Sequence, residues 1–185
     1  MLFRELDLIR NKVIQLSIEL ILTSLNKRLE KEKIITIQRE NGEILNVTCD
    51  WNKPVSDQEL KEISLKTNHI LPKDFSAFLK LYNGGKLFSD GMDYFELFNI
   101  KETLNYLNEY DSNINFKSAY NQNWYMIGYY KGYGDYLFID SEKVANCEDD
   151  YLIYVQVGDI QRLSMNFETW LDRFIVAQGA RYWLW

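Results

Sequence analysis

Histidine is almost absent from this chain, with His69 the single one in 185 residues. That excludes any metal site built on two imidazoles and leaves one residue for imidazole base catalysis. His69 lies beside Ile70-Leu71-Pro72, at a corner between two helical segments, where a surface or capping role is its ordinary use. Cysteine is nearly as scarce. Cys49 and Cys147 belong to no Cys-x-x-Cys and no Cys/His metal spacing, and nothing in their spacing pairs either of them with His69 as a nucleophile would require. A disulfide between the two stays open, although the chain otherwise reads as a cytoplasmic protein with reduced thiols. Two prolines and nine glycines leave no room for a long flexible linker. No internal repeat or low-complexity tract occurs. Near the N-terminus the longest uninterrupted apolar run is Leu20-Ile21-Leu22, with Glu5 and Asp7 ahead of it, so neither a secretory leader nor a membrane span is expected.

Motifs for chemistry are equally thin. Gly132-Tyr133-Gly134 lacks the third glycine of a phosphate loop and is followed by a strand pattern, so no helix N-terminus meets a phosphate there. There is no Walker-type Gly-Lys-Ser/Thr. Asp135 and Asp140 bracket one predicted strand, about 17 Å apart at strand rise, too far to act as a carboxylate pair. Glu148-Asp149-Asp150 is an acidic run without the interleaved glycine of a calcium loop, at a place where solvated acids ordinarily sit. The expectation is therefore a protein with no catalytic set, no cofactor and no metal. A hydrolase built on Asp135, Asp140 or His69 is kept only as a third hypothesis.

What the chain has is apolar and aromatic side chains: 46% hydrophobic and 15% aromatic residues, enough for a real core. Its net charge of −6 is unevenly placed. From Lys101 to Asp159 four Lys/Arg face ten Asp/Glu, whereas Met1 to Arg39 holds eight bases and five acids. A negative field repels nucleic acid and favours basic partners, although acidic surfaces also serve solubility alone. Within the acidic half, Tyr120, Trp124, Tyr125, Tyr129, Tyr130, Tyr133 and Tyr136 form an aromatic cluster. Strand alternation sends about half of these outward, where tyrosine is good anchor material for a protein partner.

Hydrophobic periodicity predicts a helix from about Asp7 to Leu29 with two apolar stripes. One runs Leu2, Leu6, Ile9, Val13, Leu16, Leu20; the other runs Ile14, Ile18, Ile21, Leu25, Leu29. Taken as adjacent, they make a face wide enough to pack on a globular core, the alternative being a dimer helix. β-Branched runs at 34–37 and 44–48 flank Glu40-Asn41-Gly42 and predict a hairpin. Ser56-Asp57-Gln58-Glu59 and Asn99 to Glu102 are capping boxes that start helices. Pro72 is expected at the first helical position of a segment bearing Phe75, Phe78, Leu79 and Tyr82 on one face and closing at Asn83-Gly84-Gly85. Strands are expected near 93–98, over 124–131, 135–140 and 151–157, and at 162–165. Residues 111–122 read as a polar loop. A last helix over 167–177 is capped by Asn166, and the tail Arg181-Tyr182-Trp183-Leu184-Trp185 is expected to fold back onto the core. Strand runs joined by short turns, with helices toward both ends, give an α+β fold with a mostly antiparallel sheet packed with helices.

Four segments together carry a family resemblance: Pro54-Val55-Ser56-Asp57-Gln58-Glu59-Leu60, the stretch from Leu71 to Phe88, the glycine-rich hairpin from Ile127 to Asp140, and the closing helix from Phe167 to Ile175. In this order they resemble the Smi-one/Knr-four family of the SUKH superfamily. The resemblance implies a SUKH-like domain over 51–185, with 1–50 as a helix and hairpin extension packed on it. It further implies a non-enzymatic protein-binding domain, for stand-alone bacterial members an immunity protein that neutralises a toxin, often a nuclease. The family's other implied role is a regulatory scaffold in cell-wall synthesis or signalling. The expected partner is a basic protein such as a toxin domain, with no nucleic acid and no membrane, and a homodimer remains open. Glu148, Asp149 and Asp150 are the first candidates for partner binding, with Tyr129, Tyr130 and Tyr133 as anchors.

Overall fold

In the computed structural model every strand hydrogen-bonds to its neighbour in sequence, so the sheet is an eight-stranded antiparallel meander ordered β1 to β8. The structure describes residues 2–39, 41–67, 69–112, 121–156 and 159–185. Residues Glu40, Asn68, Tyr120 and Val157, and most of the 111–122 loop, fall outside these. The chain is an α+β domain with six α-helices among the described residues.

Helix α1 (Leu2–Glu32) leads into the predicted hairpin, β1 (Ile35–Gln38) against β2 (Ile44–Trp51). Ile35 and Ile37 point inward and Thr36 and Gln38 outward, the period-2 pattern of a half-buried strand. Helix α2 (Asp57–Lys66) opens on a formed capping box: the Ser56 N–H and hydroxyl donate to Glu59, and the Glu59 N–H donates back to Ser56 Oγ. Helix α3 (Lys73–Leu81) starts one residue later than expected, with Pro72 as an extended N-cap residue at φ −61° and ψ 153°.

Strand β3 (Gly85–Ser89) was not legible in the sequence. Its Asn-Gly-Gly approach looks like a helix end alone, and pairing with β2 on one side and β4 (Tyr94–Leu97) on the other makes it a strand. Helix α4 (Ile100–Ser112) follows, capped as predicted by Asn99 and Glu102. Strands β5 (Trp124–Lys131) and β6 (Asp135–Asp140) form the glycine-turn hairpin, with a register shift between Met126 and Gly128. A five-residue helix α5 (Ser141–Ala145), too short to announce itself by periodicity, precedes β7 (Leu152–Gln156). Strand β8 spans Asp159–Arg162 rather than 162–165, because Ser164 takes a left-handed φ of 46° that ends the ladder. Helix α6 (Phe167–Val176) is capped by Asn166, whose side chain accepts from the Thr169 N–H.

Alternation along the central strands builds two apolar layers. Tyr125, Ile127, Leu137, Ile139, Leu152 and Tyr154 face the main core beneath α1, α3 and α6. Met126, Phe138, Ile153 and Val155 face the other side, with Trp124 and Phe98. The tail returns as expected: Trp183 is buried and packs edge-on against Tyr154 at 5.0 Å, while Trp185 stays exposed.

The two stripes of α1 part company. Ile18, Leu22 and Leu25 are fully buried, with Ile14, Ile21 and Leu29 packed around them. Leu6, Ile9, Val13, Leu16 and Leu20 are exposed. At 3.6 residues per turn the stripe centres lie roughly 150° apart, so they are opposite faces and not one wide one. The expectation of a single core-packing face is corrected accordingly.

Candidate functional site

A cleft of about 390 Å³ opens between α1, the start of α3, the turn after α5 and the start of α6. Asp74 lies at its base and Glu148 and Asp149 at its rim, with Arg10 and Glu168 on the flanking helices. The turn that carries the acids is made locally. Asp140 caps α5 by accepting from the N–H groups of Glu142 and Lys143, Cys147 takes φ 59°, and the Glu148 N–H returns to Lys143 O at 3.0 Å.

Lys143 then decides how much of the acidic run is open. Its Nζ lies 2.5 Å from Asp150 and 3.2 Å from Glu148. The hydrogen bond to Asp150 raises the lysine's pKa above its ordinary value, and the same bond holds the Asp150 carboxyl below its own. Asp149 differs: its side chain is 74% exposed, and its nearest cation, Arg10, stands 4.0 Å away and is itself exposed. Such a pair adds little stability and little neutralisation. The structure thus brings the three predicted acids together but leaves Asp149 as the one outside the Lys143 ion pairs.

The base of the cleft holds a buried carboxylate. Asp74 is 5% exposed and accepts from the Tyr151 hydroxyl and from the N–H groups of Phe75 and Glu168. Those N–H groups belong to the first turns of α3 and α6, so two positive helix ends converge on one negative charge. Glu168 is tied to α1 through the Ser17 hydroxyl at 2.6 Å. Arg10 and Glu168 were not legible as site residues, since each is brought to the cleft by packing between segments far apart in sequence.

The predicted tyrosine anchors lie elsewhere. The Gly132-Tyr133-Gly134 turn sits at one end of β6 and the acidic turn follows its other end, a strand length of roughly 20 Å. Tyr130 is 3% exposed, and its hydroxyl donates to Gly179 O at 2.8 Å, so it belongs to the core and offers no anchor. Tyr129 is half-buried on the opposite face of the sheet, its ring 5.0 Å from that of Tyr136. Tyr133 is exposed, but the Arg181 guanidinium lies 3.5 Å over its ring and Arg39 approaches its hydroxyl. The acids and tyrosines therefore do not make one acidic, aromatic face.

The catalytic candidates are committed to structure. Asp135 is fully buried, paired with Arg181 at 3.0 Å and accepting from the Tyr154 hydroxyl. Asp140 is 3% exposed and joins Arg162 at 3.0 Å and the Trp124 indole N–H at 3.1 Å while it caps α5. His69 is half-buried against Tyr125, ring centroids 5.3 Å apart. Cys49 and Cys147 are free thiols, and burial pushes the Cys49 thiol up to about 11. Among the described residues no group of three or more His, Cys, Asp or Glu could hold a metal, and no helix is long and apolar enough to cross a membrane.

Comparison with known proteins agrees with this fold. The model of the SMI1/KNR4 family (SUKH-1) matches residues 54–173, more than half of the chain. The uncharacterized protein YobM of Bacillus subtilis (strain 168) is 30% identical over 173 residues, covering 87% of this chain and 88% of that protein. YnaB of the same organism, also uncharacterized, is 31% identical over 142 residues, covering 75% and 88%.

Proposed function

The chain belongs to the SMI1/KNR4 family (SUKH-1), and from that premise we propose that it is a protein-binding domain without catalytic chemistry, an immunity protein that neutralises a basic toxin domain. One contrast carries the reading. Asp135 and Asp140, the acids best placed by sequence for chemistry, are buried in arginine pairs, whereas Asp149 is exposed at the rim of an open cleft. A buried, paired carboxylate cannot reach a substrate; an exposed one over a concave site can receive a lysine or arginine of a partner. Asp74 gives the cleft a fixed negative floor, held by the N–H groups of two helix ends. The binding surface on this reading is the α1–α3–α5–α6 cleft with Asp149 and Glu148, and not the tyrosine turn.

The test is a pull-down from the source organism's lysate at low and high salt, read by mass spectrometry, with the wild type beside Asp149→Arg. A single basic partner, lost as salt rises and lost in the variant, supports the proposal. Several unrelated partners held equally by both proteins would favour the scaffold reading and sink this one.

A further inference from the structure

We propose that this protein forms a parallel homodimer through the outward face of α1. The exposed residues Leu6, Ile9, Val13, Leu16 and Leu20 follow one another at intervals of 3, 4, 3 and 4, the seam of a two-stranded coiled coil. A helix that merely borders solvent has no reason to keep that period on the side away from its own core. Ile18, Leu22 and Leu25 already satisfy the core on the other side.

Three further observations favour a second copy of this chain as the occupant. First, the seam is self-complementary in charge. With Leu6, Val13 and Leu20 at the first core position of each heptad, Glu5 stands at a flank that faces Arg10 of a parallel, unstaggered partner. The other two flanking pairs are Lys12 with Ser17 and Glu19 with Ser24, so no like charges meet. Arg10 is 63% exposed and only 4.0 Å from Asp149, a contact weak enough to exchange. Second, the area is right. The five side chains keep between 50% and 69% of their full exposure. Together they leave roughly 500 Å² of apolar surface, so two copies would remove about 1,000 Å² from water, the lower bound for a specific interface. Third, the helix is already built. An isolated seam of this length would be marginal because the helix must first nucleate, but α1 is held by α3 and α6. The paired face points away from that packing.

The experiment is sedimentation equilibrium of the full chain from roughly 1 to 200 µM, alongside Leu16→Lys and Val13→Lys. The wild type is expected to dimerise in the micromolar range, and each variant to lose at least tenfold in dimer affinity with an unchanged circular dichroism spectrum. Ile9→Cys in a Cys147→Ser background should form a disulfide-linked dimer on mild oxidation, because a parallel register brings the two residues 9 together. A wild type that stays monomeric at the top concentration overturns the proposal. So does a dimer indifferent to both lysine variants, and failure of Ile9→Cys to cross-link within a dimer overturns the parallel register. None of these readouts depends on the toxin-binding reading.

Discussion

The Tyr151 hydroxyl sits 2.5 and 2.6 Å from the two oxygens of Asp74 and accepts in turn from the Phe167 N–H at 3.0 Å. One phenol thus ties the start of α3 to the start of α6, and burial together with the Asp74 charge drives its pKa far above the ordinary tyrosine value. The bond is a clamp made only by tertiary folding, linking residues 77 apart in sequence.

Removing the clamp has a predictable cost. Tyr151→Phe keeps the ring but strands part of a buried carboxylate and the Phe167 N–H, a loss of about 1–3 kcal/mol. Asp74→Ala removes the acceptor on which both helix ends converge and should cost about as much. The double variant should lose less than the sum, since both changes break the same bonds. Urea unfolding of the four proteins checks this, and strict additivity would refute the shared network.

Alkaline pH should unfold the protein early. Burial raises the Cys49 thiol to about 11 and the Tyr130 phenol to about 12, and it also raises Tyr125, Tyr151, Tyr154 and Tyr182. The folded state therefore holds protons that the unfolded chain releases first. For groups with a raised folded pKa the stabilisation is complete below the unfolded value and is lost as pH climbs through the folded one. The window opens near pH 9 with Cys49 and deepens above pH 10 with the tyrosines. Tyr130 alone is worth on the order of 2 kcal/mol across it. Thermal melts from pH 8 to 11 should show Tm falling, and Tyr130→Phe should soften the fall while lowering Tm at pH 8 by loss of the bond to Gly179. A flat Tm over that range would contradict the burial of these phenols.

The Asn83-Gly84-Gly85 turn marks the limit of what could be seen in the sequence. The N-terminal helix, the 35–51 hairpin, both capping boxes and the β5–β6 hairpin each have a local signature, and all formed where it stood. What could not be seen depends on a neighbour: β3 needs β2 and β4, and the Asp74 cleft needs α1 and α6. Gly84 shows why a local reading was incomplete. The helix closes on an extended Tyr82 rather than on a left-handed cap, and Gly84 at φ 79° lies beyond it, where a Cβ would come 2.4 Å from Leu97 O and 2.7 Å from Asn99 N. The glycine thus lets β3 approach the β4–α4 junction, a contact with no trace in the local pattern. Likewise the two stripes of α1 are visible, but which one meets the core is decided by its packing on α3 and α6.

Gly84→Ala should accordingly cost more than a strained turn alone, roughly 2–4 kcal/mol. Gly42→Ala serves as the comparison, because it also has a positive φ, 84°, but nothing within 4 Å of its added Cβ. Chemical denaturation should separate the two, the Gly42 variant losing about 1 kcal/mol from backbone strain. Equal losses would mean that the close approach to Leu97 and Asn99 contributes nothing.

Cys147 offers a direct test of the cleft without charge reversal. Its thiol is exposed and lines the opening beside Glu148 and Asp149, while Cys49 is largely buried with its sulfur accepting from the Phe88 N–H. A bulky maleimide at neutral pH should therefore modify Cys147 well before Cys49, since reaction needs both access and thiolate. On the proposed reading the adduct would occupy the volume that a basic side chain of the partner enters, while Lys143 keeps its ion pairs with Asp150 and Glu148. If that reading holds, labelled protein should lose affinity for the partner by at least tenfold at an unchanged Tm, and Cys147→Ser should bind normally and resist the reagent. Asp149→Arg should likewise weaken the complex at low salt by at least tenfold, enough to lose the partner from a pull-down, and by less at high salt, because the charge it reverses is exposed and screened. If the adduct binds as well as the unmodified chain, the partner does not enter this cleft. The tyrosine turn, with Tyr133 under Arg181, would then be the surface to pursue.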